Sequence, residues 1–226
     1  MQKLLETIEI ETGKNPTAAI IWMHGLGADA NDFVPVVGEL GLAAAPAVRF
    51  VFPNAPMRAV TINNGYVMRA WYDVSFGDLE GKSRRADADG VHESEQQIGA
   101  LIEREIGRGI SSKNILLAGF SQGGAVALHT GLRCRQALAG VMALSTYLPL
   151  ADMLPREAAA ENKALPIFMA HGVFDPVVPL VMGAGSMTFL TGLGYAVEWR
   201  QYPMQHSVCA QEIADIGAWL RRVLKS

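Results

Sequence analysis

Read for hydrophobic and polar positions, the chain alternates between short unbroken apolar runs and longer segments with helical spacing. Thr17-Ala-Ala-Ile-Ile-Trp-Met23, Val48 to Phe52, Ile115 to Ala118, Leu138 to Leu144 and Pro166 to Ala170 are runs of strand length. Unbroken apolar runs predict parallel strands covered on both faces, because a half-exposed strand would alternate. Leu4 to Ile10 alternates only in part and predicts an edge strand or hairpin arm, and Tyr195 to Tyr202 predicts a final strand. Helical spacing or start signals predict helices from Asp29 or Asn31 through Leu40, from about Val91 to Ile106, from Ala125, from Val181 to Leu193 and from Ser207 to Leu224. Strands that alternate with helices, with no repeat or composition break, predict a doubly wound, mostly parallel α/β sheet with helices on both faces. A single domain over 1–226 is expected.

One stretch resists this reading. From about Arg58 to Asp89 the periodicity fails, in a segment that holds Trp71, Tyr72, Phe76, several glycines and Lys82-Ser-Arg-Arg85. An irregular loop of that length in a compact domain is usually functional or disordered, and the aromatic residues predict an active-site loop.

Composition narrows the class. Half of the 226 residues are hydrophobic and 18% are charged, which fits a globular chain with a substantial core. A net charge of −3 provides no electrostatic footprint for nucleic acid or an anionic membrane. Two cysteines, Cys134 and Cys209, make no disulfide framework and no C-x-x-C metal pair. Glu6 and Glu9 fall where a signal peptide would be apolar, and no uncharged run is long enough to span a bilayer. A soluble, cytoplasmic protein without membrane insertion is expected.

The chemistry centres on Gly119-Phe-Ser-Gln-Gly123, which joins the apolar run ending at Ala118 directly to the one starting at Ala125. A residue on so sharp a strand-to-helix turn sits in strained backbone, and glycines on either side remove side chains that would collide. Such a turn lifts the Ser121 hydroxyl clear of the sheet beside a helix N-terminus, where unpaired N–H groups stabilise negative charge. Ser121 is therefore the candidate nucleophile. Serine needs a base, and the base needs an acid to hold its tautomer. On such folds the acid and base follow the serine on loops after later strands. Asp175, just past Ile167-Phe-Met-Ala170, and His206, just past the last strand, meet that order, each separation leaving room for a strand–helix unit. Asp152 comes one unit early, Asp73 suits a cap or ion pair, Asp215 suits a solvated helix face, and His171 suits a loop-shaping role. Oxyanion donors are expected from the backbone N–H of Gln122 and, in the turn His24-Gly-Leu-Gly27, that of Leu26. Cys209 is expected inside the last helix as a small buried hydrophobe.

Taken together, His24-Gly-Leu-Gly-Ala-Asp29, Phe52-Pro-Asn-Ala-Pro56, Trp71-Tyr-Asp73, Gly119-Phe-Ser-Gln-Gly-Gly124, His171-Gly-Val-Phe-Asp175 and His206-Ser207 resemble the phospholipase/carboxylesterase family of α/β-hydrolases. That family includes bacterial carboxylesterase II enzymes and acyl-protein thioesterases, and the resemblance runs nearly end to end. It implies the α/β-hydrolase fold and hydrolysis of carboxylic esters or thioesters of modest acyl length, without metal or other cofactor. It places Ser121, Asp175 and His206 on the family's triad and Leu26 and Gln122 on its oxyanion hole. It implies an acyl-binding surface that includes Trp71, Phe76, Tyr147 and Leu148, and members are often homodimers.

The leading expectation is a serine carboxylesterase for short- to medium-chain esters, acting on a small-molecule or lipid ester. Acyl-protein thioesterase or lysophospholipase activity uses the same triad and stays open, as does amide hydrolysis. A non-catalytic binding module on the same fold is the alternative of another class, and it fits poorly with three intact triad positions.

Overall fold

The computed structural model describes residues 4–42, 46–75 and 87–224. Its strands are β1 (Thr7–Glu11), β2 (Ala18–Met23), β3 (Val48–Pro53), β4 (Met57–Val60), β5 (Tyr66–Arg69), β6 (Ile115–Phe120), β7 (Gly140–Leu144), β8 (Ile167–Gly172) and β9 (Val197–Tyr202). Its α-helices are α1 (Ala88–Gly107), α2 (Gln122–Arg133), the one-turn α3 (Leu154–Glu157), α4 (Leu180–Gly192) and α5 (Ala210–Val223). Seven strands make one sheet in the order β1-β3-β2-β6-β7-β8-β9, and β4 pairs with β5 in a separate ribbon. Within the large sheet every neighbouring pair is parallel except β1 with β3. The expected α/β sheet is therefore present, with the partly alternating N-terminal strand on its edge.

The unbroken apolar strands are explained by two cores, one on each face. Alternate residues of β2 divide between them, as the two-residue period of a strand requires. Ala19, Ile21 and Met23 pack with Val91, Ile98, Leu101 and Ile102 of α1, Ala125 to Leu128 of α2 and Leu190 of α4. Ala18, Ile20 and Trp22 pack with Phe33, Leu40 and the stripe Ile213, Ile216, Trp219 and Leu220 of α5. That stripe has the three-to-four-residue spacing that turns one helix face inward.

Three expectations are corrected. The helix expected from Asp29 or Asn31 to Leu40 is a chain of turns ending in a 3-10 helix, Val34–Glu39. Pro35 has no N–H to give, and Asp29 Oδ1 instead accepts the Asn31 N–H at 2.8 Å in a local turn. The segment from 58 to 89 is not irregular throughout. It begins with the β4–β5 hairpin, whose turn carries Asn64 and Gly65 at φ of 55° and 76°, and ends in the first turn of α1, while 76–86 lie outside the described residues. Cys209 caps α5 as a half-buried residue rather than lying inside it, and Asp215 accepts the Tyr202 hydroxyl at 2.8 Å. No helix among the described residues is long and apolar enough to cross a membrane.

Candidate active site

The strand order fixes where a ligand can sit. From β2 the chain steps outward to β3, and from β6 it steps the other way to β7. Loops leaving adjacent parallel strands in opposite directions open a crevice at their carboxyl ends. Met23 and Gly119 are in register at that end, so the turn after β2 and the turn after β6 emerge side by side. These turns carry Leu26 and Ser121.

Ser121 occupies the turn between β6 and α2 with φ 53° and ψ −122°, a strained backbone for a residue with a side chain. The conformation is held from outside: Ser121 N–H donates to Leu144 O at 2.8 Å, and Thr146 Oγ1 donates to Ser121 O at 2.6 Å. A side chain at Gly119 would run into the backbone of Gly123, and one at Gly123 would run into the carbonyls of Met23 and His24. Both glycines are thus required by contact, as the sequence predicts. Close packing also brings the start of α2 against the β2 turn. Among the described residues neither Leu26 N–H nor Gln122 N–H has a hydrogen-bond partner. Both residues line, with Ser121, one cavity of about 170 Å³.

The turn after β2 is rigidly built. His24 Nε2 accepts the Ala55 N–H at 3.1 Å, and its Nδ1 lies 2.7 Å from Gly25 O, which assigns the proton to Nδ1. Burial lowers the His24 pKa, so the ring holds the turn as a neutral group. Trp71 Nε1 donates to His24 O at 2.9 Å, and Gly27 N–H donates to Arg69 O at 2.9 Å.

Asp175 and His206 meet on the loops after β8 and β9. Gly172 and Tyr202 pair at the strand ends, and Val173 and Phe174 N–H groups donate to Tyr202 and Met204 carbonyls. A side chain at Gly172 would strike the Met204 and Gln205 carbonyls, so the loops touch only because that position is glycine. His206 Nδ1 lies 2.7 Å from Asp175 Oδ2, while Asp175 Oδ1 accepts the N–H groups of Val177 at 2.8 Å and Val178 at 2.9 Å. Burial pushes the Asp175 carboxyl up, but the His206 hydrogen bond and these amides outweigh it and hold the pKa below the ordinary range. The ionised carboxylate can only accept, so His206 Nδ1 carries a proton and Nε2 is the ring nitrogen not held by Asp175. The His206 ring packs on Phe120, the neighbour of Ser121, with centroids 4.7 Å apart. No hydrogen bond joins Ser121 Oγ to His206 among the described residues; such contacts often close only around substrate.

His171, expected to shape this loop, has Nε2 2.9 Å from Val178 O and is kept neutral by burial. Asp73 accepts the Thr61 N–H at 2.7 Å and the Thr61 hydroxyl at 2.6 Å, in a capping role.

The residues expected on the acyl-binding surface divide. Tyr147 lines the cavity, and its hydroxyl is 3.0 Å from that of Tyr72. Trp71 and Leu148 are buried behind the wall and do not line the cavity. Phe76 lies outside the described residues. The sequence reading placed Ile62, Asn63, Tyr72 and Val74 in the expected active-site loop at 58–89 without singling them out as lining residues, and it missed Val177 and Val178; all six line the same cavity. It also missed the side chain of Gln122. Gln122 Oε1 accepts the Trp71 N–H at 2.8 Å and its Nε2 donates to Tyr72 O at 2.7 Å, clamping the cavity wall to the start of α2. Only a side chain with one donor and one acceptor does both.

Comparison with known proteins agrees with this geometry. Residues 5–224 match the phospholipase/carboxylesterase family model. The chain is 35% identical over 239 residues to acyl-protein thioesterase 1 of Cryptococcus neoformans, with both chains fully covered. It is 38% identical over 217 residues to acyl-protein thioesterase 1 of Gibberella zeae, covering 92% of this chain and 91% of that one. Among solved structures, Arabidopsis thaliana SOBER1 superposes with a TM-score of 0.84 at 30% identity, covering 92% of this chain and 99% of that one. Zea mays acyl-protein thioesterase 2 superposes with a TM-score of 0.84 at 26% identity, covering 97% of this chain and 99% of that one. The chain belongs to the phospholipase/carboxylesterase family and is a serine hydrolase of the α/β-hydrolase fold.

Proposed function

We propose that the chain hydrolyses acyl thioesters, and matched oxygen esters more slowly, with Ser121 as nucleophile, His206 as base and Asp175 as its orienting acid. The observation that carries the mechanism is the Asp175–His206 hydrogen bond of 2.7 Å, presented beside a strained serine at a helix N-terminus. The thioester preference is supported by full-length similarity to acyl-protein thioesterases.

The roles follow from the groups present. Ser121 Oγ attacks the acyl carbonyl as its proton passes to His206 Nε2. Asp175 stabilises the resulting imidazolium. The carbonyl oxygen becomes an oxyanion, which the N–H groups of Leu26 and Gln122 receive, helped by the positive end of α2. As the tetrahedral intermediate collapses, the bond to sulfur or oxygen breaks, His206 Nε2 gives its proton to the departing thiol or alcohol, and an acyl group is left on Ser121. Water, deprotonated by His206, then releases the acid. A thiolate is a far better leaving group than an alkoxide, so a thioester asks less of His206 as proton donor. The cavity walled by Tyr72, Val74, Tyr147, Val177 and Val178 is apolar around one polar end, which suits an acyl chain entering toward Ser121.

The second reading is the short- to medium-chain carboxylesterase expected from sequence, favoured by the small size of that cavity. A pair of substrates with the same acyl chain, one S-linked and one O-linked, separates the two. A higher kcat/KM for the thioester supports the first reading, and a clear preference for the oxygen ester supports the second. Loss of both activities in Ser121→Ala is required by either.

A further inference from the structure

Away from Ser121, α1 and α2 bring together three potential metal ligands that the hydrolase reading does not use. His92 and Glu95 stand one turn apart on α1, so their heads share a face. His129 faces them from α2 and is fully buried. His129 Nε2 is 3.1 Å and His92 Nδ1 is 3.3 Å from the same oxygen, Glu95 Oε2. All three ligand atoms lie within 4.8 Å of one another.

We propose that His92, Glu95 and His129 form a zinc site that ties α1 to α2. Zinc bound tetrahedrally at about 2.0–2.2 Å from nitrogen and oxygen ligands sets those ligands roughly 3.3–3.5 Å apart. The two spacings to Glu95, 3.1 and 3.3 Å, are already near that and the third is within 4.8 Å, so the site forms by rotations of the side chains. Two imidazoles and one carboxylate are a borderline-soft set that suits zinc rather than magnesium or calcium. His129 Nδ1 has no hydrogen-bond partner among the described residues, and Nε2, which faces Glu95, is the ring nitrogen offered to the metal. His92 and Glu95 also line a cleft of about 580 Å³ bordered by Arg133, Arg135, Arg156, Glu157 and Glu161, from which water can reach a fourth position. Of these cations Arg133 is occupied by Glu157 at 2.7 Å.

The helices joined are the two that brace the acyl cavity. Ser94 of α1 hydrogen-bonds to Trp71 O, and Gln122 of α2 holds Trp71 and Tyr72. Zinc at this place stabilises the hydrolase framework without touching the reacting groups.

The test is titration of chelator-treated full chain with zinc chloride by calorimetry, together with melting curves with and without zinc. The expected result is one equivalent bound and a rise in Tm, since binding to the folded chain alone stabilises it. His92→Ala and Glu95→Gln are each expected to weaken binding at least about tenfold and abolish the Tm rise, with unchanged ester hydrolysis in the absence of zinc. Cys134→Ser and His206→Ala are expected to keep the full equivalent. Absence of zinc binding in the wild type overturns the proposal. So does binding that survives both α1 substitutions and disappears with Cys134→Ser or His206→Ala.

Discussion

The Gln122 clamp makes a prediction that separates side chain from backbone at one residue. In Gln122→Ala the backbone N–H proposed for the oxyanion stays, while both side-chain hydrogen bonds, at 2.8 Å and 2.7 Å, are lost. The groups abandoned are the Trp71 N–H and the Tyr72 carbonyl, both in a buried segment with Trp71 fully and Tyr72 98% covered. A buried N–H left without its acceptor, here that of Trp71, costs about 1–3 kcal/mol. For a chain of this size that lowers Tm by at least about 2 °C. Tyr72 is part of the cavity wall, so its release should raise KM, while kcat falls less than about tenfold because the donor to the oxyanion remains. Gln122→Glu is the internal control: it keeps an acceptor for Trp71 but has no donor for Tyr72, and its Tm should fall between the two. Thermal melts and initial-rate kinetics on the three proteins decide it. A Gln122→Ala protein with wild-type Tm and KM refutes the clamp.

Two further outcomes follow from buried carboxyl groups. In Asp175→Asn, an amide that keeps its oxygen toward Val177 and Val178 turns its NH2 toward His206 Nδ1 and forces the wrong tautomer. Turnover should drop on the order of 10⁴-fold with little change in Tm; a rate within tenfold of wild type would remove Asp175 from the mechanism. Glu212 of α5 is fully buried, and neither carboxyl oxygen has a hydrogen-bond partner among the described residues. Burial, with the negative charge of Asp215 adding to it, pushes its pKa from 4.5 up to about 8. The folded state therefore keeps a proton that the unfolded state has lost, and stability declines as pH rises from about 4.5 to about 8. Glu212→Gln carries no such proton, so it should match wild type near pH 4 and exceed it by about 3 kcal/mol at pH 7. Urea unfolding across this range tests it, and parallel curves for the two proteins would show that Glu212 is not held protonated.

How much of this was legible depends on what kind of interaction fixes each part. The buried strands were readable because burial on both faces leaves an unbroken apolar signature, as in Ala18–Met23 and Ile115–Phe120. The turn at Ser121 was readable because contact forbids side chains at Gly119 and Gly123. The β4–β5 hairpin was not read, since β5 is exposed or half-buried along its length and has no strong alternation. Its one signal was Asn64-Gly65, a pair suited to positive φ in a hairpin turn. The helix expected before Leu40 failed because local turn chemistry at Asp29 and Pro35 outweighed the apolar spacing. Long-range polar links leave no local trace. The Gln122 clamp spans about fifty positions and the Glu95–His129 contact spans 34, so neither appears in any window of sequence.

The most direct measurement is to trap and locate the acyl group. Wild type and Ser121→Ala would be mixed with a palmitoyl or octanoyl thioester, quenched within the first turnover and digested for mass spectrometry. The expected result is an acyl mass on the peptide that contains Ser121, absent in Ser121→Ala along with turnover. Undiminished hydrolysis by Ser121→Ala, or an acyl group carried on another residue such as Cys209, would contradict a mechanism built on this serine.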